Sequence, residues 1–177
     1  PAMLERFAPA VRFRLEKLHE AGLASEPVDD IVARIRTTSS LDDAIAGADH
    51  VQENVTESLE VKKSLFAYLD ANTPPHVTLA SSTSTIPCSR FTADLAGRDR
   101  CLVVHPANPP YLLRVAEVVP SRFTSPEVTE RVAALIRSMR MSPVVVQQEI
   151  EGFVFNRLQG ALLREAYFLV GDGVVTP

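Results

Sequence analysis

The sequence predicts an α/β fold, in which a parallel sheet with crossover helices ends near residue 149 and is followed by the first helix of an all-helical part. Three observations carry this reading. Short apolar runs alternate with segments of helical periodicity between residues 49 and 148, the mark of strand, helix, strand crossovers. No internal repeat or low-complexity tract interrupts that alternation. Residues 152–170 then read as one apolar helix.

The first element is a helix over residues 2–21, where Leu4, Phe7, Val11, Leu15 and Leu18 recur at helical spacing. Gly22 supplies its C-terminal cap, and Pro9 either kinks it or marks its start. A short helix over 28–33, a thin strand over 34–37, a short helix after Ser40 and a strand over 49–55 follow. The spacing next predicts a firmer helix over 58–70, with Ser58 as N-cap and Glu60 in the first turn. Leu59, Val61, Leu65, Phe66 and Leu69 are its buried stripe, Lys62 reads by itself as a solvated charge, and Pro74 and Pro75 stop the helix. A strand over 76–80, the hydroxyl run of residues 81–85, a short helix over 90–96 and a strand over 101–105 come after. Residues 115–119 read as a strand, and 126–139 as a helix capped by Ser125 with Pro126 at its first position. Residues 143–148 form the last strand before the apolar helix.

Composition narrows the function. The 177 residues carry a formal charge of −4, with 46% in the hydrophobic set and 23% charged. An isoelectric point near 5.6 and the interleaving of the early Lys and Arg residues with acids leave no basic stripe for nucleic acid. No apolar stretch approaches the ~20 residues that span a bilayer, and the N-terminus lacks a signal-peptide core, so no membrane partner is expected and the cytoplasm is the expected compartment. Cys88 and Cys101 lack CxxC spacing and read as structural thiols, with no metal site.

In open parallel sheets, ligands lie outside the carboxyl ends of the strands. Three such ends are polar here: Thr56 and Glu57, the Ser81 to Ser84 run, and His105. His105 opens the stretch Pro106-Ala107-Asn108-Pro109-Pro110-Tyr111, which three prolines stiffen. Twelve residues on, Glu117 interrupts the apolar run Val115-Ala116-Glu117-Val118-Val119, and a carboxylate there needs a partner. The partner expected is His105, whose tautomer Glu117 would fix, making His105 a general base. Arg114 and Arg137 are the alternative partners of Glu117. Ser84 and Asn108 are candidates to hydrogen-bond the developing carbonyl oxygen, although residues 81–85 alone also suit a simple hydroxyl-rich turn. A hydrolase with Ser84 as nucleophile lacks a GxSxG elbow. His19, His50 and His76 are assigned no role.

These residues resemble the 3-hydroxyacyl-CoA dehydrogenase superfamily, and within it the branch of lambda-crystallin and L-gulonate 3-dehydrogenase. The segment Ser81-Ser82-Thr83-Ser84, the motif from His105 to Tyr111, the Glu117-Val118-Val119 strand and Gly152-Phe153-Val154-Phe155-Asn156-Arg157-Leu158 carry the likeness. The resemblance implies His105 as catalytic base, Glu117 as its orienting acid, and Ser84, Asn108 and Asn156 as residues that hold substrate and base. It also implies NAD as cofactor, bound near its nicotinamide ribose by Glu57, Lys62, Ser84 and Asn108, and a homodimer when full length. The reaction implied is oxidation of a 3-hydroxyl to the 3-oxo product. Family members acting on fatty acyl chains carry aromatic residues after the His, and Pro106 and Asn108 here point to a small polar 3-hydroxy acid such as L-gulonate. An acyl-CoA thioester substrate and a non-catalytic structural role are the alternatives. None of the seven glycines stands in GxGxxG spacing, the pattern that cradles pyrophosphate. The expectation is therefore an incomplete Rossmann-type NAD-binding domain over residues 1–149, then the start of a helical domain over 150–177, both cut from a longer enzyme.

Overall fold

The computed structural model describes residues 2–177, and the chain divides into two compact units, Pro1–Gly47 and Ala48–Pro177. The first unit holds α1 (Ala2–Glu20), α2 (Val28–Ala33) and α3 (Leu41–Ile45). Pro9 lies inside α1 and is not its start. Gly22 ends the helix at φ 67°, donating its N–H to the His19 carbonyl at 3.0 Å. Ser40 caps α3 by accepting the Asp43 N–H at 3.2 Å. The thin strand expected over 34–37 does not form. A strand exists only through a partner's hydrogen bonds, and this segment has none in the sheet. Arg34 instead closes α2 through its backbone N–H and pairs with Glu26 at 2.6 Å.

The second unit is a five-stranded sheet with helices on both faces, a Rossmann-like α/β arrangement. Its elements are β1 (His50–Glu53), α4 (Leu59–Asn72), β2 (Thr78–Ser81), α5 (Ser89–Thr92), β3 (Cys101–Pro106), β4 (Val115–Pro120), α6 (Pro126–Ser138), β5 (Ser142–Val145) and α7 (Phe155–Gly171). The spatial order follows the chain order. β1, β2 and β3 are parallel, as are β4 and β5. The β3–β4 pair is antiparallel, which corrects the expectation of an all-parallel sheet. Residues 107–114 contain no helix, and a parallel return needs roughly a dozen residues or more.

Alternation along the strands sorts the side chains. One face presents Ala80, Leu102, Val104, Ala116 and Val118 to Val128, Val132 and Ile136 of α6, which form one buried cluster. Ser125 accepts the Val128 N–H at 3.2 Å and starts α6 where the sequence places it. The opposite face carries Glu53, Ser81, His105 and Glu117, and α4 and α5 meet through Phe66 and Phe91, whose rings lie 4.7 Å apart.

Three elements differ from expectation in ways that matter to the site. On α4, Val61 is 44% exposed and Lys62 only 1%, so the buried line is Lys62, Phe66 and Leu69. Ser58 sits at the N-cap without a side-chain bond. The last helix starts at Phe155, because Gly152 and Phe153 both adopt positive φ and form a turn ahead of it.

Candidate active site

The antiparallel β3–β4 register sets His105 directly opposite Glu117. Their side chains are 7% and 5% exposed, and Nδ1 of His105 lies 2.8 Å from Oε2 of Glu117. A carboxylate only accepts, so in the neutral ring Nδ1 carries the hydrogen and Nε2 the lone pair. Nε2 is the atom able to take a proton from a substrate. The alternative partners are not used: Arg137 bonds Glu130 at 2.9 Å, and no ion pair joins Arg114 to Glu117 among the described residues.

The second oxygen of Glu117 accepts the N–H groups of Val154 at 2.8 Å and Phe155 at 2.9 Å. These are orphan donors at the start of α7, where the helix dipole also favours negative charge. Both oxygens of a buried carboxylate are thereby satisfied. Phe153 and Phe155 hold their rings 5.7 and 6.4 Å from the imidazole.

A second cluster forms where β1 and β2 end. Glu53, 3% exposed, receives Lys62 Nζ at 3.0 Å on each oxygen and the Ser81 hydroxyl at 2.6 Å. Lys62 Nζ also lies 3.4 Å from Glu57. Glu57 Oε1 accepts the Thr83 and Thr85 hydroxyls and the Ser84 N–H. Burial pushes the Glu57 carboxyl up, but these donors and the Lys62 charge outweigh it and hold the group below its ordinary value. Lys62 therefore stands behind Glu57 with its ammonium enclosed, and its burial is tolerated because Glu53 meets the charge.

Of the residues singled out in the sequence, His105 and Glu117 come together, as do Glu57, Lys62 and the Ser84 segment. Asn156 joins them, donating from Nδ2 to the Ser84 carbonyl at 2.9 Å. Asn108 is exposed in the loop after β3, and among the described residues no hydrogen bond ties it to His105 or Ser84. Glu53 escaped the sequence reading, and Phe153 and Phe155 entered it only within the motif that carries the resemblance, without a role. An acid at a strand's end, nine residues before Lys62, was the one available signal for Glu53. Cys88 and Cys101 are free and buried, and burial pushes both thiols up, that of Cys101 to about 12. Among the described residues, no group of three metal-ligating side chains could hold an ion, and no helix is long and apolar enough to cross a membrane.

Residues 1–150 match the family described as 3-hydroxyacyl-CoA dehydrogenase, NAD binding domain. The lambda-crystallin homolog of Homo sapiens is 40% identical over 169 residues, 94% of this chain and 53% of the relative. An L-carnitine dehydrogenase of Streptomyces griseus is 40% identical over 159 residues, 90% of this chain and 47% of the relative. The crystal structure of 3-hydroxybutyryl-CoA dehydrogenase from Escherichia coli superposes with a TM-score of 0.89 at 30% identity, covering 98% of this chain and 37% of that one. The chain spans about half the length of the curated relatives it matches. On the fold, the paired strand-end residues and these matches, the chain belongs to the 3-hydroxyacyl-CoA dehydrogenase family, on the branch that includes lambda-crystallin.

Proposed function

We propose that this chain carries the general base and the nicotinamide end of the cofactor site of an NAD-dependent dehydrogenase, one that oxidises the 3-hydroxyl of a small 3-hydroxy acid of the L-gulonate type. The observation that carries this reading is the buried His105–Glu117 pair at 2.8 Å. NAD, when bound, supplies the acceptor for the hydride that leaves C3. Nε2 of His105 takes the hydroxyl proton in the same oxidation, and Glu117 stabilises the imidazolium that results. Ser84 and Asn108 are assigned to the substrate oxygen, and Asn156 holds the turn that bears Ser84.

The residues present fit the ribose next to the nicotinamide. Glu57 offers an acceptor carboxylate whose side chain is 42% exposed, suited to a pair of ribose hydroxyls, and Lys62 orients it from behind. The seven glycines include no GxGxxG turn, so no residue here is assigned to the pyrophosphate. L-carnitine, named for one relative, is also a small 3-hydroxy acid, which favours this substrate class. The superposition on a 3-hydroxybutyryl-CoA dehydrogenase makes an acyl-CoA thioester the second reading. We assign the protein to the cytoplasm and, at the full length of its relatives, to a homodimer, with the exposed apolar side chains of α7 as the face to test.

The test is NADH formation by the purified chain, beside a version extended to the length of its relatives, with L-gulonate, L-carnitine, 3-hydroxybutyrate and 3-hydroxybutyryl-CoA. Turnover with one of the free acids is expected, falling by roughly 10²-fold or more in His105→Ala. Turnover with the thioester alone would select the second reading, and silence of the extended version with all four would reject the dehydrogenase assignment.

A further inference from the structure

Residues 152–155 adopt a conformation that needs a reason. Gly152 has φ 72° and Phe153 φ 46°, and for a bulky side chain the left-handed region is a genuine outlier. Phe153 is also 0% exposed, so this is no relaxed surface turn. Backbone strain of this kind persists only where the surroundings impose it.

What the turn achieves can be read from its contacts. It sets the Phe153 ring 5.7 Å from the His105 ring, inclined at 54°. It also aims the next two N–H groups, those of Val154 and Phe155, at the oxygen of Glu117 that His105 does not use. The turn is fastened on either side. Gly152 donates its N–H to the Thr85 carbonyl at 3.2 Å, Glu149 accepts the Ser89 N–H at 3.1 Å, and Glu151 pairs with Arg90 at 2.9 Å. Asn156 then reaches the Ser84 carbonyl at 2.9 Å.

We propose that this turn sets the orientation of the catalytic pair, with Phe153 as a positioning residue that packs the His105 imidazole while the turn's backbone holds Glu117. The proposal rests on the reading of His105 as the base. Without the ring, the imidazole gains room to rotate. Without the two N–H groups, Glu117 loses the donors that fix its second oxygen, and its grip on Nδ1 loosens. His105 would then populate the tautomer with hydrogen on Nε2, which cannot accept a substrate proton.

The experiment is nitrogen-resolved NMR of the histidine rings, with steady-state kinetics, on wild type, Phe153→Leu and Gly152→Ala. Gly152→Ala removes no contact to the ring. Its Cβ would meet only Arg157 Cγ at 3.8 Å and Asn156 Cβ at 3.9 Å, so it acts through the strained φ. The wild-type His105 ring is expected to show the Nδ1–H tautomer alone, and both variants a mixture. In Phe153→Leu, kcat should fall by about 10-fold to 100-fold, the scale of a small misplacement of a reacting group, with the KM for NAD within about twofold of wild type because the ring packs on the imidazole. Circular dichroism melts identify which variants are folded at the assay temperature. Persistence of the single Nδ1–H tautomer in the folded variants overturns the proposal, whatever turnover does. Lack of turnover in wild type extended to the length of its relatives would instead defeat the dehydrogenase reading alone, since the ring signature needs no substrate.

Discussion

At the residue scale, Glu57 shows how neighbours rather than exposure set a carboxylate's behaviour. Its side chain is 42% exposed, yet three donors from residues 83–85 and the Lys62 ammonium converge on it and lower its pKa. A carboxylate whose folded pKa is depressed stabilises the fold above its unfolded pKa, about 4.3. That contribution disappears as pH falls through the lower folded value. Wild type should therefore be more stable than Glu57→Gln at pH 7, and the gap between their urea midpoints should narrow at pH 3. A gap that stays constant would locate the effect in packing instead of charge. Lys62, by contrast, is a buried cation whose desolvation is met by Glu53 at 3.0 Å; without that partner its place on the buried line of α4 would be untenable.

At the element scale, the junction of α4 with β3 depends on one glycine. Arg100, 5% exposed, pairs with Asp70 at 2.8 Å and donates to Thr73 Oγ1 and to the Val77 carbonyl. Gly97 donates its N–H to the same Asp70 carboxylate at 3.1 Å. A Cβ on Gly97 would fall 2.2 Å from Asp70 Oδ1 and 2.7 Å from Arg100 Nε. Gly97→Ala must push Asp70 away and leave a buried guanidinium without its counter-charge, at an expected cost of about 3–5 kcal/mol in urea unfolding. A cost below about 1 kcal/mol would mean that Asp70 swings aside freely and that the pair contributes little. The same scale explains why β4 runs antiparallel to β3. The short, proline-stiffened stretch after His105 can only turn back, and that reversal brings Glu117 to the histidine.

At the scale of the whole molecule, α7 stands out for the size of the apolar side chains it exposes. Leu158, Leu162, Tyr167 and Phe168 are 66%, 71%, 75% and 64% exposed, a concentration of apolar surface that the rest of a helical domain or a second copy would cover. The homodimer proposed above predicts concentration-dependent self-association in sedimentation velocity. Leu162→Lys combined with Phe168→Lys should shift the protein to monomer with the sheet's circular dichroism unchanged. A double variant that associates as strongly as wild type would remove α7 from the interface.

Much of this was legible along the chain. Apolar periodicity, Ser40, Ser125 and Pro126 as helix starters, and Gly22 as a stop are local signals, and local backbone preferences act on them directly. His105 and Glu117 were legible too, because a polar residue inside an apolar strand declares that it needs a partner. The sequence pointed to His105 as that partner but left Arg114 and Arg137 open. The antiparallel register made the choice. The burial of Lys62 and the roles of Glu53 and Phe153 lay beyond sequence reasoning for a common reason. Whether a charge is buried or a strained turn is tolerated depends on the free energy of groups brought together from distant parts of the chain. Glu53 comes from β1, Ser81 from β2 and Lys62 from α4, while Phe153 meets an imidazole from β3. Periodicity records which face of an element avoids water, but only the assembled fold decides which charges meet inside it.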